Sequence, residues 1–78
     1  MTMRVTVKAF GELRRLLGGE KLELDLPAGA CVADALRAAG LPDVVDVWAL
    51  LDGSRAGRAE PLREGAEVSF FQPVGGGC

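Results

Sequence analysis

The chain contains no histidine, which removes the commonest general base and metal-ligating side chain. Its two cysteines, Cys31 and Cys78, lie far apart with no metal-ligand spacing, so zinc sites and triad chemistry are excluded and no metal is expected. Two cysteines are also too few to staple a small secreted domain, and Met1-Thr2-Met3-Arg4 opens no signal peptide, which points to a reducing cytoplasm. No segment collects basic residues: nine Lys plus Arg stand against eleven Asp plus Glu, for a net charge of -2. Nucleic acid is therefore not an expected partner. The apolar runs are far too short to cross a bilayer, so no membrane partner is expected.

What is present is a globular balance, 49% hydrophobic and 26% charged, in 78 residues, enough for one small soluble domain. A domain of this size buries only about 60% of its unfolded surface, which leaves little stability for strained catalytic geometry.

Met3, Val5, Val7 and Ala9 alternate with Arg4, Thr6 and Lys8, the period of a strand with one buried face. The run Glu12 to Leu17 places Leu13, Leu16 and Leu17 at helical spacing, and Gly18-Gly19 ends it. Lys21 to Leu26 alternates strictly again, and the short connection makes it the antiparallel neighbour of the first strand, with Pro27-Ala28-Gly29 as its stop. Between Cys31 and Ala39, Val32, Ala35, Leu36 and Ala39 follow the i, i+3, i+4, i+7 rule, which predicts the main helix, closed by Gly40. Leu41-Pro42-Asp43 is a turn, and Val44 to Leu51 reads as a strand of ambiguous period ending at Asp52-Gly53. Residues 54–66 read as a polar loop with a short bridge at Pro61-Leu62, feeding a last strand from Glu67 to Phe71. Pro73 and the glycine run at 75–77 disfavour regular structure, so residues 1–72 form the domain and 73–78 a mobile tail. The sum is an α+β fold, a two-layer β-grasp roll with a mixed sheet packed on one main helix.

Asp34, Asp43, Asp46 and Asp52 fall where caps and turns ordinarily use them. Arg14, Arg15, Arg55, Arg58 and Arg63 read as solvated surface, with docking as their other use. Cys31 opens the main helix, either as half-buried filler or as a thiol activated by the helix dipole. Phe71 lies on the opposite face of the last strand from Val68 and Phe70; its ring is covered by its own chain or serves as an apolar anchor for a partner. The closing glycines follow no strand–helix pattern that cradles phosphate. They leave a backbone without side chains, and the five residues from Pro73 to Gly77 reach about 17 Å when extended, enough to thread another protein's pocket.

The run Leu62-Arg63-Glu64-Gly65-Ala66-Glu67-Val68-Ser69-Phe70-Phe71-Gln72-Pro73-Val74-Gly75-Gly76-Gly77 resembles the C-terminal signature of the MoaD/ThiS family of ubiquitin-like sulfur carriers. The Phe-Phe-x-Pro-Val form is most similar to the molybdopterin synthase small subunit, and the preceding elements fall in family order. The resemblance implies a protein cosubstrate rather than an enzyme, with no bound cofactor. An E1-like adenylating partner would use ATP to activate the terminal glycine, and a sulfur donor would displace AMP to leave a thiocarboxylate. Bound to the molybdopterin synthase large subunit, that terminus would deliver sulfur to a pterin precursor in molybdenum cofactor biosynthesis. Related carriers serve a thiazole, a cysteine precursor or a transfer RNA base, and a ubiquitin-like modifier joined through the same glycine to target lysines is the rival reading. By position, Gly77 would carry the thiocarboxylate, Gly76 would complete the diglycine beside Gly75, and Phe71, Pro73 and Val74 would help dock the partner. Cys78 departs from the pattern, because with it attached Gly77 has an amide and no free carboxylate. Trimming by a protease, an added residue and direct thiol chemistry are the three readings of Cys78.

Overall fold

The computed structural model describes residues 1–42 and 47–72. In chain order its elements are β1 (Thr2–Ala9), α1 (Glu12–Leu17), β2 (Lys21–Pro27), α2 (Val32–Ala38), β3 (Trp48–Leu51), β4 (Ser54–Ala56) and β5 (Glu67–Phe71). The strands form one sheet in the order β2-β1-β5-β3-β4, in which β1 and β5 run parallel and the other pairs antiparallel. A sheet with its first and last strands side by side at the centre, covered on one face by a helix, is the mixed α+β arrangement that the alternation predicts.

The period-two strands supply the buried face. Met3, Val5, Val7 and Ala9 of β1 and Val68 and Phe70 of β5 are buried against Val32, Ala35, Leu36 and Ala39 on the α2 side. In α1 only Leu13 is buried; Leu17 packs partly against the core and Leu16 is exposed, because six residues give room for a single inward turn. Gly18, at φ 89°, closes α1 in the left-handed conformation that side chains with a Cβ avoid.

The helix α2 begins on a built cap. The Asp34 carboxylate accepts from the backbone N–H of Cys31 at 2.9 Å and from its thiol at 3.5 Å. The next two orphan N–H groups are met from a distance: Val32 donates to the carbonyl of Glu60 and Ala33 to that of Arg58, both at 2.9 Å. The segment expected to be a polar loop is thus a strap that supplies acceptors to α2, with Cys31 bridging Pro61 and Leu62 buried in the core. Arg58 extends the strap by donating to the Val47 carbonyl at 2.8 Å. Cys31 is half-buried and serves as the N-cap, which is the packing role of its two readings.

Two strand expectations change. The described part of the stretch 44–51 is a strand only from Trp48, with Val47 buried outside it. Residues 54–56, expected as loop, form β4, since Asp52 (φ 51°) and Gly53 (φ 90°) both take positive φ and make a two-residue hairpin turn that pairs Leu51 with Ser54.

The cap at Asp34 gives a pH prediction. Its carboxyl is held below the ordinary 3.8, first by the hydrogen bond from the Cys31 N–H, then by the thiol and the Arg37 guanidinium. A folded value below the unfolded one stabilises the fold above pH 3.8, and that contribution is lost as pH falls through the lower folded value. Thermal melts should therefore show the parent above Asp34→Asn at neutral pH, with the gap closing on acidification; a gap independent of pH would refute the assignment.

Candidate functional site

The alternation of β5 divides its side chains, with Val68 and Phe70 in the core and Glu67, Ser69 and Phe71 on the open face of the sheet. Strand register decides what surrounds them. Phe71 lies opposite Trp48 and Ser69 opposite Leu50 on β3, while Arg55 on β4 lies opposite Leu50. The Phe71 and Trp48 rings meet with centroids 6.0 Å apart at a tilt of 59°, and the Arg55 guanidinium stands 3.6 Å from the centre of the Trp48 ring. Phe71 is half-buried beneath this neighbour, whereas Trp48 remains exposed. The covering of Phe71 by a neighbouring strand is thus seen on one side of the ring, and the rest of the ring contributes to the surface of the open face.

The open face has two halves. Towards β2 it is laced with ion pairs, Arg4 to Asp25 at 3.0 Å and to Glu23 at 3.5 Å, and Lys8 to Glu67 at 2.9 Å. Towards β4 it is apolar and aromatic, built from Phe71, Trp48 and Leu50 with the Arg55 cation stacked at the margin. Phe10, 51% exposed, sits just past β1 and donates its N–H to the Phe70 carbonyl at 3.1 Å. Exposed aromatic surface therefore lies on both sides of the strand end from which Gln72 leads on.

Of the residues the sequence singles out, Phe71 is placed on this face, while Pro73, Val74, Gly75, Gly76, Gly77 and Cys78 lie outside the described residues. Trp48 and Phe10 were not singled out as site residues, and Arg55 only as one of five arginines with docking as their other use. The signal for Trp48 and Arg55 was the Asp52-Gly53 pair: a two-residue hairpin there puts Arg55 in register with Leu50 and makes the 48–51 segment an alternating strand with Trp48 outward. Among the described residues no three His, Cys, Asp or Glu side chains gather as a metal site, and no helix is long and apolar enough to cross a membrane.

Solved structures share this arrangement. SAMP1 (small archaeal modifier protein 1) from Haloferax volcanii superposes with a TM-score of 0.79 at 25% identity, covering 91% of this chain and 96% of its own. A Pyrococcus furiosus protein assigned provisionally as molybdopterin converting factor, subunit 1, gives 0.78 at 29% identity over 92% of this chain and 99% of that one. The ubiquitin of Caldiarchaeum subterraneum matches in fold, with a TM-score of 0.63 at 16% identity over 92% of this chain and 94% of that one. No curated protein matches in sequence. The sheet order, the single main helix and these likenesses define a ubiquitin-like β-grasp protein.

The ThiS family profile matches residues 7–77, and the chain belongs to the ThiS family. Its relatives are small ubiquitin-like sulfur carriers and modifiers, generally without catalysis of their own, which work with E1-like enzymes and, as carriers, with sulfur acceptors.

Proposed function

We propose that this protein is a sulfur carrier whose body, residues 1–72, presents residues 73–78 as a tail in which Gly77 becomes the reactive end once Cys78 is removed. The observation that carries the reading is the Phe-Phe-Gln-Pro-Val-Gly-Gly-Gly run of residues 70–77, which begins in β5 beside the exposed Trp48 and Phe71 surface. A carboxylate is a poor electrophile. The E1-like partner therefore joins the Gly77 carboxylate to the α-phosphate of ATP with release of pyrophosphate, and a sulfur nucleophile at the sulfide level then displaces AMP to leave the thiocarboxylate. Cys78 is removed first, because an amide at Gly77 has no free carboxylate to adenylate. Phe71, Pro73 and Val74 dock the partner, and Gly75 and Gly76 keep the approach narrow. Delivery of the sulfur to a pterin precursor, on the large subunit of molybdopterin synthase, is the acceptor reading supported by the Phe-Phe-x-Pro-Val form and by the Pyrococcus furiosus likeness.

The SAMP1 likeness supports a second reading, a modifier conjugated through Gly77 to lysines of other proteins. Intact-mass spectrometry separates the two after incubation with the adenylating enzyme, ATP and a sulfur source. On a chain ending at Gly77, an oxygen-to-sulfur mass gain is expected, with no gain on the chain retaining Cys78. Adducts to lysines of other proteins without that gain would establish the modifier, and an unchanged mass on the shorter chain would sink both readings.

A further inference from the structure

At the end of the sheet where β1 and β5 finish, a shallow cavity of about 320 Å³ is lined by Lys8, Ala9, Phe10, Arg14, Glu20 and Lys21. Three cations therefore face one carboxylate in a chain whose net charge is -2. The strand register makes the concentration sharper. At the far end of the β1–β2 ladder Arg4 lies opposite Asp25, a complementary pair, but at this end Lys8 lies directly opposite Lys21. Like charges in that position destabilise a sheet, and the fold gains nothing from them. Lys8 is drawn to Glu67 at 2.9 Å and Arg14 to Glu20 at 2.7 Å, whereas no carboxylate lies within 4.0 Å of the Lys21 ammonium among the described residues.

We propose that this basin is a docking site for an acidic peptide segment, carrying two or more neighbouring carboxylates, on the partner that handles the C-terminus. The inference rests on the carrier reading above and adds the chemistry of the partner's surface. Complementary charge is the first argument, since an anion supplies the Lys21 ammonium with the partner that it lacks among the described residues. Composition is the second. The cations come from three separate elements, and the lining includes Ala9 and the half-exposed Phe10, so it suits a chain with apolar and anionic parts. Position is the third, because Ala9 is in register with Phe70, which places the basin at the strand end that leads into the tail.

The test is an amide NMR titration of the full chain with a capped tetraglutamate peptide, with tripolyphosphate as a second arm. Shifts centred on Lys8, Phe10, Arg14 and Lys21 are expected, weakening as salt rises from about 20 to about 300 mM. Lys21→Glu and Arg14→Glu should each raise the apparent Kd about tenfold or more. Arg15→Glu, an equal change of charge on the same helix outside the basin, should leave it unaltered. The proposal is overturned if the peptide produces no shifts at these residues, if Arg15→Glu weakens binding as much as Lys21→Glu, or if tripolyphosphate binds more tightly than the peptide. The titration uses neither ATP nor sulfur, so its failure leaves the carrier chemistry intact, and failure of the mass assay leaves the titration readable.

Discussion

A chain ending at Gly77 that carries Gly76→Val should gain sulfur about a hundredfold more slowly than the parent, or not at all, while melting at the same temperature. The argument is geometric. On the proposed carrier function, adenylation and sulfur delivery take place on two different proteins, so one chain end must enter two different sites. Extended, residues 73–77 reach about 17 Å, and a branched Cβ one residue before the reacting carbonyl widens the strand at its deepest point and limits its backbone to fewer conformations. A misplacement of about 1 Å at a reacting centre is enough to cost two orders of magnitude. The expected melting temperature is unchanged because the core among the described residues already runs from Met3 to Phe70. Gly76→Ala should fall between, as a single methyl restricts less. The measurement is the time course of the oxygen-to-sulfur mass gain, and a valine variant thiolated at the parent's rate would show that the diglycine is not needed for threading.

How far these features were legible follows from what each depends on. β1, β2 and β5 announce themselves because one face of each is buried, and Met3, Val5, Val7 and Ala9 or Val68 and Phe70 cannot exchange places with their polar neighbours without emptying the core. The stripe of α2 is legible for the same reason. β4 was not, since Ser54-Arg55-Ala56 carries no apolar alternation and is a strand only because the hairpin turn delivers it to β3. Of the strap at 57–62 only the bridge at Pro61 was legible. The strap's contribution is the carbonyls of Arg58 and Glu60, and backbone acceptors have no residue signature. The candidate site divides along the same line: parity alone turned Phe71 outward, while the glycine run at 75–77 lies outside the described residues. The surroundings of Trp48 and Arg55 and the pairing of Lys8 with Lys21 emerge only when strands are set in register, which is a property of pairs far apart in sequence.

Adjacent phenylalanines in β5 should fail in opposite ways. Phe70 is fully buried, and Phe70→Ala should cost about 3–5 kcal/mol through lost transfer energy and the cavity left behind. Domains have about 0.05–0.15 kcal/mol of stability per residue, so that loss is a large share of what 78 residues provide. The melting temperature should fall by about 15–30 °C, and sulfur transfer should fall with the folded population. Phe71→Ala removes a half-buried ring whose contact with Trp48 is worth about 0.5–1.5 kcal/mol, a melting shift of at most about 10 °C. Its expected damage lies elsewhere, in an affinity for the adenylating partner about tenfold or more below the parent's, since truncating a buried aromatic anchor at an interface typically costs more than 1 kcal/mol. Trp48→Ala should behave like Phe71→Ala, and the double variant should lose less than the sum, because the two rings form one surface. Calorimetric melts and a binding titration with the partner separate stability from docking. A Phe71→Ala protein that stays folded and binds with the parent's affinity would remove the open face from the mechanism and leave the tail alone to find its partners.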